Sequence, residues 1–579
     1  MHLSIDVLRG CSLFATLKDE ELSLIFNKLE KIELKEEEIL FRENDVDGSL
    51  FVLVSGRLEV FTETKNEQRL IGLIRPGEIV GELSLLSDEP RSASIKANTQ
   101  SVLLRLKKSD FQSLCADHPN LLWNISCIIA ARCQFNIRNT EAHKAQIIAF
   151  VSIDDSSLLR ELATEMEKHD LSKMKVNIVD LSSQENKKNV YNSFNYAVSK
   201  RHIALFFIRY GDLIRNKELL EITDKIIFVL KEKSENRFQI EKETFAKIKH
   251  LNKELLLIHE KKAPWYPNTR RYLDFLQVSK CYHVSFDAPQ TTLRVLRLLS
   301  GTGVGLVLSG GGARGWAIAG ALKSFYEQDI HLDYVGGTSI GALCAALYSS
   351  CKNVEEFDQQ VNSLTPPFSL RSLTFPIYSL FTGKKETTKA QELFNGIMIE
   401  DLSLPLFAIS TNLSLYEESV WEKGPLWQAV RASGSVPLLF PPIIYNGQIH
   451  VDGGVMNNFP TDIMRTKLGH QGTIIGIDVG SFSQDLHSYS LPPAVTSLTV
   501  LKSFLKISNQ PFDCIGIIEI ILRTMSASYA MRYPQSYRNV DLLIKPSIKK
   551  FKFSDFDKSD ELYLKGYREG VKQLKKWKK

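Results

Sequence analysis

The chain has 579 residues, more than one core can serve, because single cores stop growing near about 250 to 300 residues. Its 44% hydrophobic and 24% charged residues exclude extended disorder, and a net charge of only +5 gives no basis for a nucleic-acid partner. Cys11, Cys115, Cys127, Cys133, Cys281, Cys344, Cys351 and Cys514 form no C-x-x-C pair, so neither a zinc site nor a disulfide framework is expected, and a reducing, cytoplasmic compartment fits best.

The start, Met1-His2-Leu3-Ser4-Ile5-Asp6, lacks the basic and apolar runs of a leader, and no stretch reaches the roughly 18 apolar residues of a membrane span. Any membrane contact is therefore expected to be peripheral. Lys575, Lys576, Trp577, Lys578 and Lys579 make a basic end, read first as a solvated tail and second as a contact for anionic lipid.

Residues 1 to 140 form the first expected domain. From Ile32 to Leu106, short β-branched and aromatic runs are cut by Gly48, Gly56, Gly72 and Gly77, the spacing of an all-β roll. Helical patterns flank it, Asp19 to Leu29 before and Asp110 to about Asn139 after. The segment from Gly77 through Gly81, Glu82, Pro90, Arg91 and Ser92 to Ala93 resembles the phosphate-binding cassette of the cyclic-nucleotide-binding family. The resemblance implies that Gly81 and a short helix approach the cyclic phosphate through backbone N–H groups. Arg91 would neutralise that phosphate, Ser92 would add a donor, and Glu82 would accept from the ribose 2′-OH. Ser92 is similar to the bacterial cAMP-binding version, which favours cAMP over cGMP; the bland alternative is a retired scaffold with Arg91 in a surface turn.

Residues 141 to 300 form the second. Strand-like runs (Gln146 to Ile153, Lys175 to Leu181, His202 to Arg209, Lys225 to Leu230, Glu254 to His259) alternate with helix-like stretches, as in a parallel α/β sheet. The first strand-to-helix loop, Ser152 to Ser157, has no glycine, so no phosphate site is assigned and the segment is read as connecting its neighbours.

Residues 301 to 579 carry the chemistry. The strand-like Val304 to Ser309 runs into Gly310-Gly311-Gly312-Ala313-Arg314-Gly315 and a small-residue helix, a setting in which backbone N–H groups can hold an anion. A nucleotide phosphate loop would need a Lys-Ser/Thr pair, which is missing. A second strand leads to Gly336-Gly337-Thr338-Ser339-Ile340-Gly341, a G-x-S-x-G nucleophile elbow followed by a helical run. Asp452 ends a short strand and is followed by Gly453 and Gly454, where a carboxylate can face the serine.

Together these three motifs resemble the patatin-like phospholipases, as do Val430 to Pro437, Phe440-Pro441-Pro442 and Asp401 to Phe407. Joined to the upstream roll, the chain resembles the neuropathy target esterase group. The resemblance implies a C-terminal α/β hydrolase domain with a Ser339–Asp452 dyad, an oxyanion hole at Gly310, Gly311, Gly312 and Arg314, and a phospholipid or lysophospholipid substrate. It implies no metal and no cofactor for catalysis, with cyclic nucleotide as the allosteric ligand. The membrane anchor and the several nucleotide domains of the animal members are not seen here, so their tethering and regulation are not carried over. Arg314 is read either as a phosphodiester contact or as a structural pin for the glycine loop.

A triad remains as an alternative through His450, two residues before Asp452, or through His470 and His487 after it. The apolar runs Phe375 to Phe381 and Ile515 to Leu522 either line an acyl channel, touch a bilayer or belong to the core. The competing function is a cyclic-nucleotide sensor whose hydrolase fold serves as scaffold.

Overall fold

A computed structural model describes residues 19–64, 67–74, 76–86, 89–117, 146–152, 156–181, 203–215, 217–232, 251–364, 370–469, 471–480 and 517–577, with the single positions Leu8, Phe14, Ile125, Ile248 and Thr496. The chain divides into two compact units, Met1–Glu254 and Leu255–Lys579. His470, His487, Ile515, most of the expected helix to Asn139, the centre of the Ser152 to Ser157 loop and the last two lysines lie outside the described residues.

The first unit opens with α1 (Asp19–Phe26) and a roll of eight strands: β1 (Glu30–Leu34), β2 (Ile39–Phe41), β3 (Leu50–Ser55), β4 (Leu58–Thr64), β5 (Glu67–Ile74), β6 (Ile79–Val80), β7 (Ser94–Ala97) and β8 (Ser101–Leu106). They form two four-stranded antiparallel sheets, ordered β1-β8-β3-β6 and β2-β7-β4-β5. Strand β3 shows why the sequence folds this way. Side chains alternate across a strand, so Phe51 and Leu53 enter the cluster between the sheets while Leu50 and Val52 enter the one that contains Leu22 and Ile25 of α1. Helices α2 (Glu82–Leu86) and α3 (Lys108–Asp117) complete the described part of the roll.

Beyond it, β9 (Ile147–Ser152), α4 (Ser156–Glu167), β10 (Val176–Asp180), β11 (Ile203–Arg209) and β12 (Lys225–Lys231) follow, with parallel strands in the order β10-β11-β9-β12. All six residues of β9 are buried, as expected of a central parallel strand covered on both faces.

The division between the units falls within β13 (Asn252–His259), whose residues from Leu255 pair in parallel with β14 (Cys281–Ser285). After α5 (Pro289–Ser300) comes an eight-stranded mixed sheet. Residues 255–300, which the sequence assigns to the connecting segment, therefore sit in the second unit. There Arg297 forms a two-pronged ion pair with buried Asp333 (2.7 Å each), and Arg294 Nη1 donates to the Ser403 carbonyl at 2.7 Å.

The large sheet uses β15 (Val304–Leu308), α6 (Gly315–Glu327), β16 (Tyr334–Thr338), α7 (Ile340–Ser350), β17 (Leu406–Asn412), β18 (Glu417–Trp421), α8 (Leu426–Ser433), β19 (Ile443–Tyr445), β20 (Gln448–Asp452), α9 (Thr461–Leu468), β21 (Thr473–Ile477), α10 (Ile517–Arg538), β22 (Leu542–Ile544) and α11 (Ser559–Trp577). Its order is β19-β20-β17-β16-β15-β21-β22, with β18 also paired to β17.

Strand β17 carries the arrangement that matters most. β18 covers Ala408 to Asn412 along one edge, so the other edge must hold both β16, which pairs up to Ile409, and β20, which starts at Ser410. Asp452 opposes Ser410, the residue just past the end of β16. The end of β16 and the end of β20 thus meet on one edge.

Candidate active site

Ser339 joins β16 to α7 with φ 56° and ψ −125°, a backbone conformation rare for a side-chain-bearing residue. The strand-to-helix turn is tight enough that a Cβ on Gly341 would lie 2.5 Å from the Leu308 carbonyl oxygen, so only glycine fits there. Ser433 Oγ accepts from the Ser339 N–H at 2.8 Å and itself donates to the Ile409 carbonyl at 2.5 Å. These bonds hold a strained residue in place.

Ser339 Oγ donates to Asp452 Oδ2 at 2.6 Å, across a sequence separation of 113 residues. The Gly454 N–H donates to the other oxygen, Oδ1, at 2.7 Å. Asp452 has no exposed surface, and that burial raises its pKa to about 6 against the lowering effect of its two hydrogen bonds.

The glycine turn departs from expectation at one position. The N–H of Gly310 donates to the Asn458 carbonyl at 3.0 Å, and Asn458 Nδ2 donates to the Gly310 carbonyl at 3.2 Å. Gly310 therefore has no N–H to offer an oxyanion, contrary to the sequence reading, because Asn458 clamps it from the segment after Asp452. The N–H groups of Gly311 and Gly312 have no hydrogen-bond acceptor among the described residues. Arg314 is buried and its Nε donates to the Gly311 carbonyl at 3.3 Å, with burial pulling its pKa down. It pins the turn and also lines the polar cavity described next.

Two cavities meet at Ser339. One is walled by apolar side chains including Trp316, Leu343, Leu347, Leu393 and Phe440. The other contains Asp452, Arg314, Asn458, Glu519, Arg523 and Lys552. Phe553 contributes to both, and its carbonyl accepts from the Ala313 N–H at 2.8 Å. α10 roofs the polar side, anchored by Tyr529, whose hydroxyl donates to buried Asp478 at 2.8 Å.

Sequence reasoning gave no role to Ser433, Asn458 or Phe553. Ser433 lies inside the Val430 to Pro437 segment already singled out, and Asn458 lies six residues after Asp452, which were the available signals. Nothing local marked Phe553.

His450 does not line either cavity. Its Nδ1 lies 3.0 Å from Ser410 Oγ, its ring stands edge-on to Trp421, and burial lowers its pKa. Among the described residues, no three His, Cys, Asp or Glu side chains cluster as metal ligands.

In the first unit, Gly81, Glu82, Arg91 and Ser92 line one pocket with Phe41 and Val60. The Arg91 guanidinium lies 4.1 Å over the Phe41 ring centroid, and its Nη2 donates to the Ser49 carbonyl (2.7 Å) and to Asp47 Oδ2 (3.2 Å). Its Nη1 donates to the Gly81 carbonyl at 3.2 Å, and a Cβ on Gly81 would lie 2.2 Å from that nitrogen. The Arg91 Nε–H is buried with no acceptor among the described residues.

The second unit thus brings a serine at a strand-to-helix elbow to a buried aspartate beside a glycine turn in an α/β domain, and the first unit is a β-roll with one pocket lined by Arg91. The patatin-like phospholipase family matches residues 306–465, and the cyclic nucleotide-binding domain family matches residues 31–118. The chain thus carries a patatin-like phospholipase domain behind a cyclic nucleotide-binding domain.

Its relatives match along nearly the whole of this chain. It is 26% identical to the neuropathy target esterase sws of Drosophila melanogaster over 93% of this chain and 42% of that one. It is 24% identical to patatin-like phospholipase domain-containing protein 7 of Rattus norvegicus (95% and 45%) and 25% identical to lysophospholipase nte1 of Aspergillus terreus (95% and 42%). The chain therefore spans less than half the length of these curated relatives. No helix among the described residues is long and apolar enough to cross a membrane.

Proposed function

We propose that this chain is a serine esterase that hydrolyses the acyl ester of lysophospholipids and related phospholipids through Ser339 and Asp452, under control of a cyclic nucleotide. The observation that carries the reading is the position of Ser339 at the junction of an apolar and a polar cavity, with its hydroxyl 2.6 Å from Asp452. An amphiphile fits that junction in one orientation. The acyl chain lies among Leu343, Leu347 and Phe440, and the phosphodiester faces Arg314, Arg523 and Lys552. One apolar cavity beside a polar one favours the single-chain lipid.

In the reaction, Asp452 takes the hydroxyl proton as Ser339 Oγ bonds to the ester carbonyl carbon. The electron pair moves to the carbonyl oxygen, which the Gly311 and Gly312 N–H groups receive, at about 3 to 4 kcal/mol per donor. Collapse expels the glycerol oxygen, which takes the proton from Asp452 and leaves an acyl-serine. Water then loses its proton to Asp452 while attacking that ester, and the second collapse returns the proton to Ser339 and frees the fatty acid.

In the pocket of the roll, the buried Arg91 Nε–H, without an acceptor among the described residues, supports an anionic ligand, and Glu82 supports a ribose hydroxyl. With Ser92 beside them, a cyclic nucleotide, cAMP before cGMP, is the ligand that fits the resemblance. The substrate's chemistry puts the enzyme at a lipid surface, with peripheral contact.

Fatty-acid release from lysophosphatidylcholine and phosphatidylcholine by the native chain and Ser339→Ala, with and without cAMP and cGMP, tests the proposal. Release lost in the variant supports the esterase. No release from either lipid in any condition would favour a sensor whose hydrolase fold is a scaffold.

A further inference from the structure

The most exposed large apolar side chains of the second unit include Phe375 (80%), Ile377 (70%) and Tyr378 (80%), all on one turn. That turn is closed, not frayed. The Thr374 N–H donates to the Leu380 carbonyl at 3.0 Å, the Thr382 N–H donates to the Ser372 carbonyl at 2.8 Å, and Leu373 bridges to Phe381. Monomeric proteins rarely hold such side chains rigidly in water without a partner surface.

The base of the turn ties it to the entrance of the site. Leu380 and Phe381 donate their N–H groups to the carbonyls of Leu438 and Leu439, and they share one apolar cluster with Phe440, Leu522, Met525 and Phe553. Phe440 and Phe553 wall the apolar cavity, while Leu522 and Met525 line the polar one. At the start of α10, one to two helical turns before Leu522 and Met525, Ile517, Ile518 and Ile520 are also exposed. Exposed apolar tips and the cavity entrance are therefore one continuous face.

Its charge is cationic at the rim. Lys384 and Lys385 follow the turn, and Lys549 and Lys552 flank Phe551 and Phe553; all four are exposed and make no ion pair among the described residues. Of the carboxylates near these lysines in the chain, Glu519 pairs with Arg523 at 2.9 Å, Asp555 pairs with Lys558 at 3.3 Å, and Glu386 is partly buried beside Arg431. Exposed apolar tips together with exposed lysines, two of which line the cavities, match the section of an anionic bilayer, with acyl chains below and phosphates above.

We infer that the turn Phe375–Tyr378, the start of α10 and Lys384, Lys385, Lys549 and Lys552 form a docking face for an anionic lipid surface, one that seats the cavity entrance on the bilayer. This rests on the esterase reading for its purpose but not for its test. Bound this way, a lipid moves from the membrane into the apolar cavity without crossing water.

The test is sedimentation of the full chain with vesicles of phosphatidylcholine, alone or with roughly a third phosphatidylglycerol. The proteins compared are the native sequence, Ser339→Ala, Phe375→Ser/Ile377→Ser/Tyr378→Ser, and Lys384→Gln/Lys549→Gln. The native chain and Ser339→Ala should bind mixed vesicles equally, and the turn variant should bind about tenfold or more weakly. The lysine variant should lose the preference for anionic vesicles, and the turn variant should hydrolyse a soluble short-chain ester at the native rate. A native chain left in the supernatant, or a turn variant that binds as tightly as native, overturns the inference. So does a turn variant that changes only the self-association of the protein without lipid, because the face would then join two copies. Vesicle binding without any ester hydrolysis would remove the esterase reading and leave the docking face standing.

Discussion

Ser339 and Asp452 are joined by a 2.6 Å hydrogen bond at the edge of β17, where β16 and β20 both end. The bond needs no third residue to exist. Ser339→Ala and Asp452→Asn should each lower kcat by about 10⁴-fold or more, read by fatty-acid release. The same Asp452→Asn change removes a buried charge while an amide can still accept from Gly454. It should therefore raise the thermal midpoint at pH 8, by up to about 3 kcal/mol of stability for a shift of roughly two pKa units. An unstable Asn variant would mean that the carboxylate also holds the fold.

Activity should depend on one ionisation with a pKa of about 6. The carboxylate must be charged to accept the serine proton, and burial disfavours charge, so kcat/KM should fall about tenfold per unit below that pH and level off above it. Stability runs the other way for this group. Between the ordinary carboxylate range and about 6 the folded state holds more protons than the unfolded one, so the Asp452 contribution declines as pH rises through that window. A flat kcat/KM profile from pH 5 to 8 would contradict the role of Asp452 as base.

Replacing His450 by Gln should leave kcat/KM within about threefold, because its ring bonds to Ser410 and lines neither cavity. A loss near that of Ser339→Ala, with an intact melting transition, would instead require a triad.

Ala390→Phe should narrow the apolar cavity, which Ala390 lines while almost fully buried. Esters of long fatty acids should lose roughly 10- to 100-fold in kcat/KM while butyrate esters are spared. Equal loss on both would place the acyl chain elsewhere.

Arg91→Ala should weaken cyclic nucleotide binding by roughly 10- to 100-fold, as loss of charge-assisted bonds to phosphate predicts. Gly81→Ala should weaken it as well, since its Cβ would displace the Arg91 guanidinium 2.2 Å away. Isothermal titration of each variant decides this.

Much of the architecture could be read along the chain because its causes are local. The unbroken apolar run Leu50-Phe51-Val52-Leu53 marks a strand buried on both faces, and the glycines around Ser339 predict a turn that only glycine permits. The elbow, the glycine loop and the cassette each span a few residues, so their shape follows from short-range sterics and hydrogen bonding.

The site as a working object could not be read that way. Gly310 was counted among the oxyanion donors for its place beside Gly311, yet Asn458, far along the chain, occupies its N–H. Arg91 was expected to meet a phosphate, and the structure shows its guanidinium bound to Asp47 and to the Ser49 carbonyl. Phe553 walls both cavities from beyond the segment that the phospholipase family matches.

By itself the sequence determined which groups this protein carries: a serine on an elbow, an aspartate before two glycines, a glycine turn, and an arginine in a cassette. Only the tertiary structure decided what those groups can do. It joined Ser339 to Asp452 through the shared edge of β17, raised the Asp452 pKa to about 6 by burying it, and left Phe375, Ile377 and Tyr378 in water. Burial and distance are properties of packing among residues remote in the chain, and no pattern of neighbours in sequence contains them.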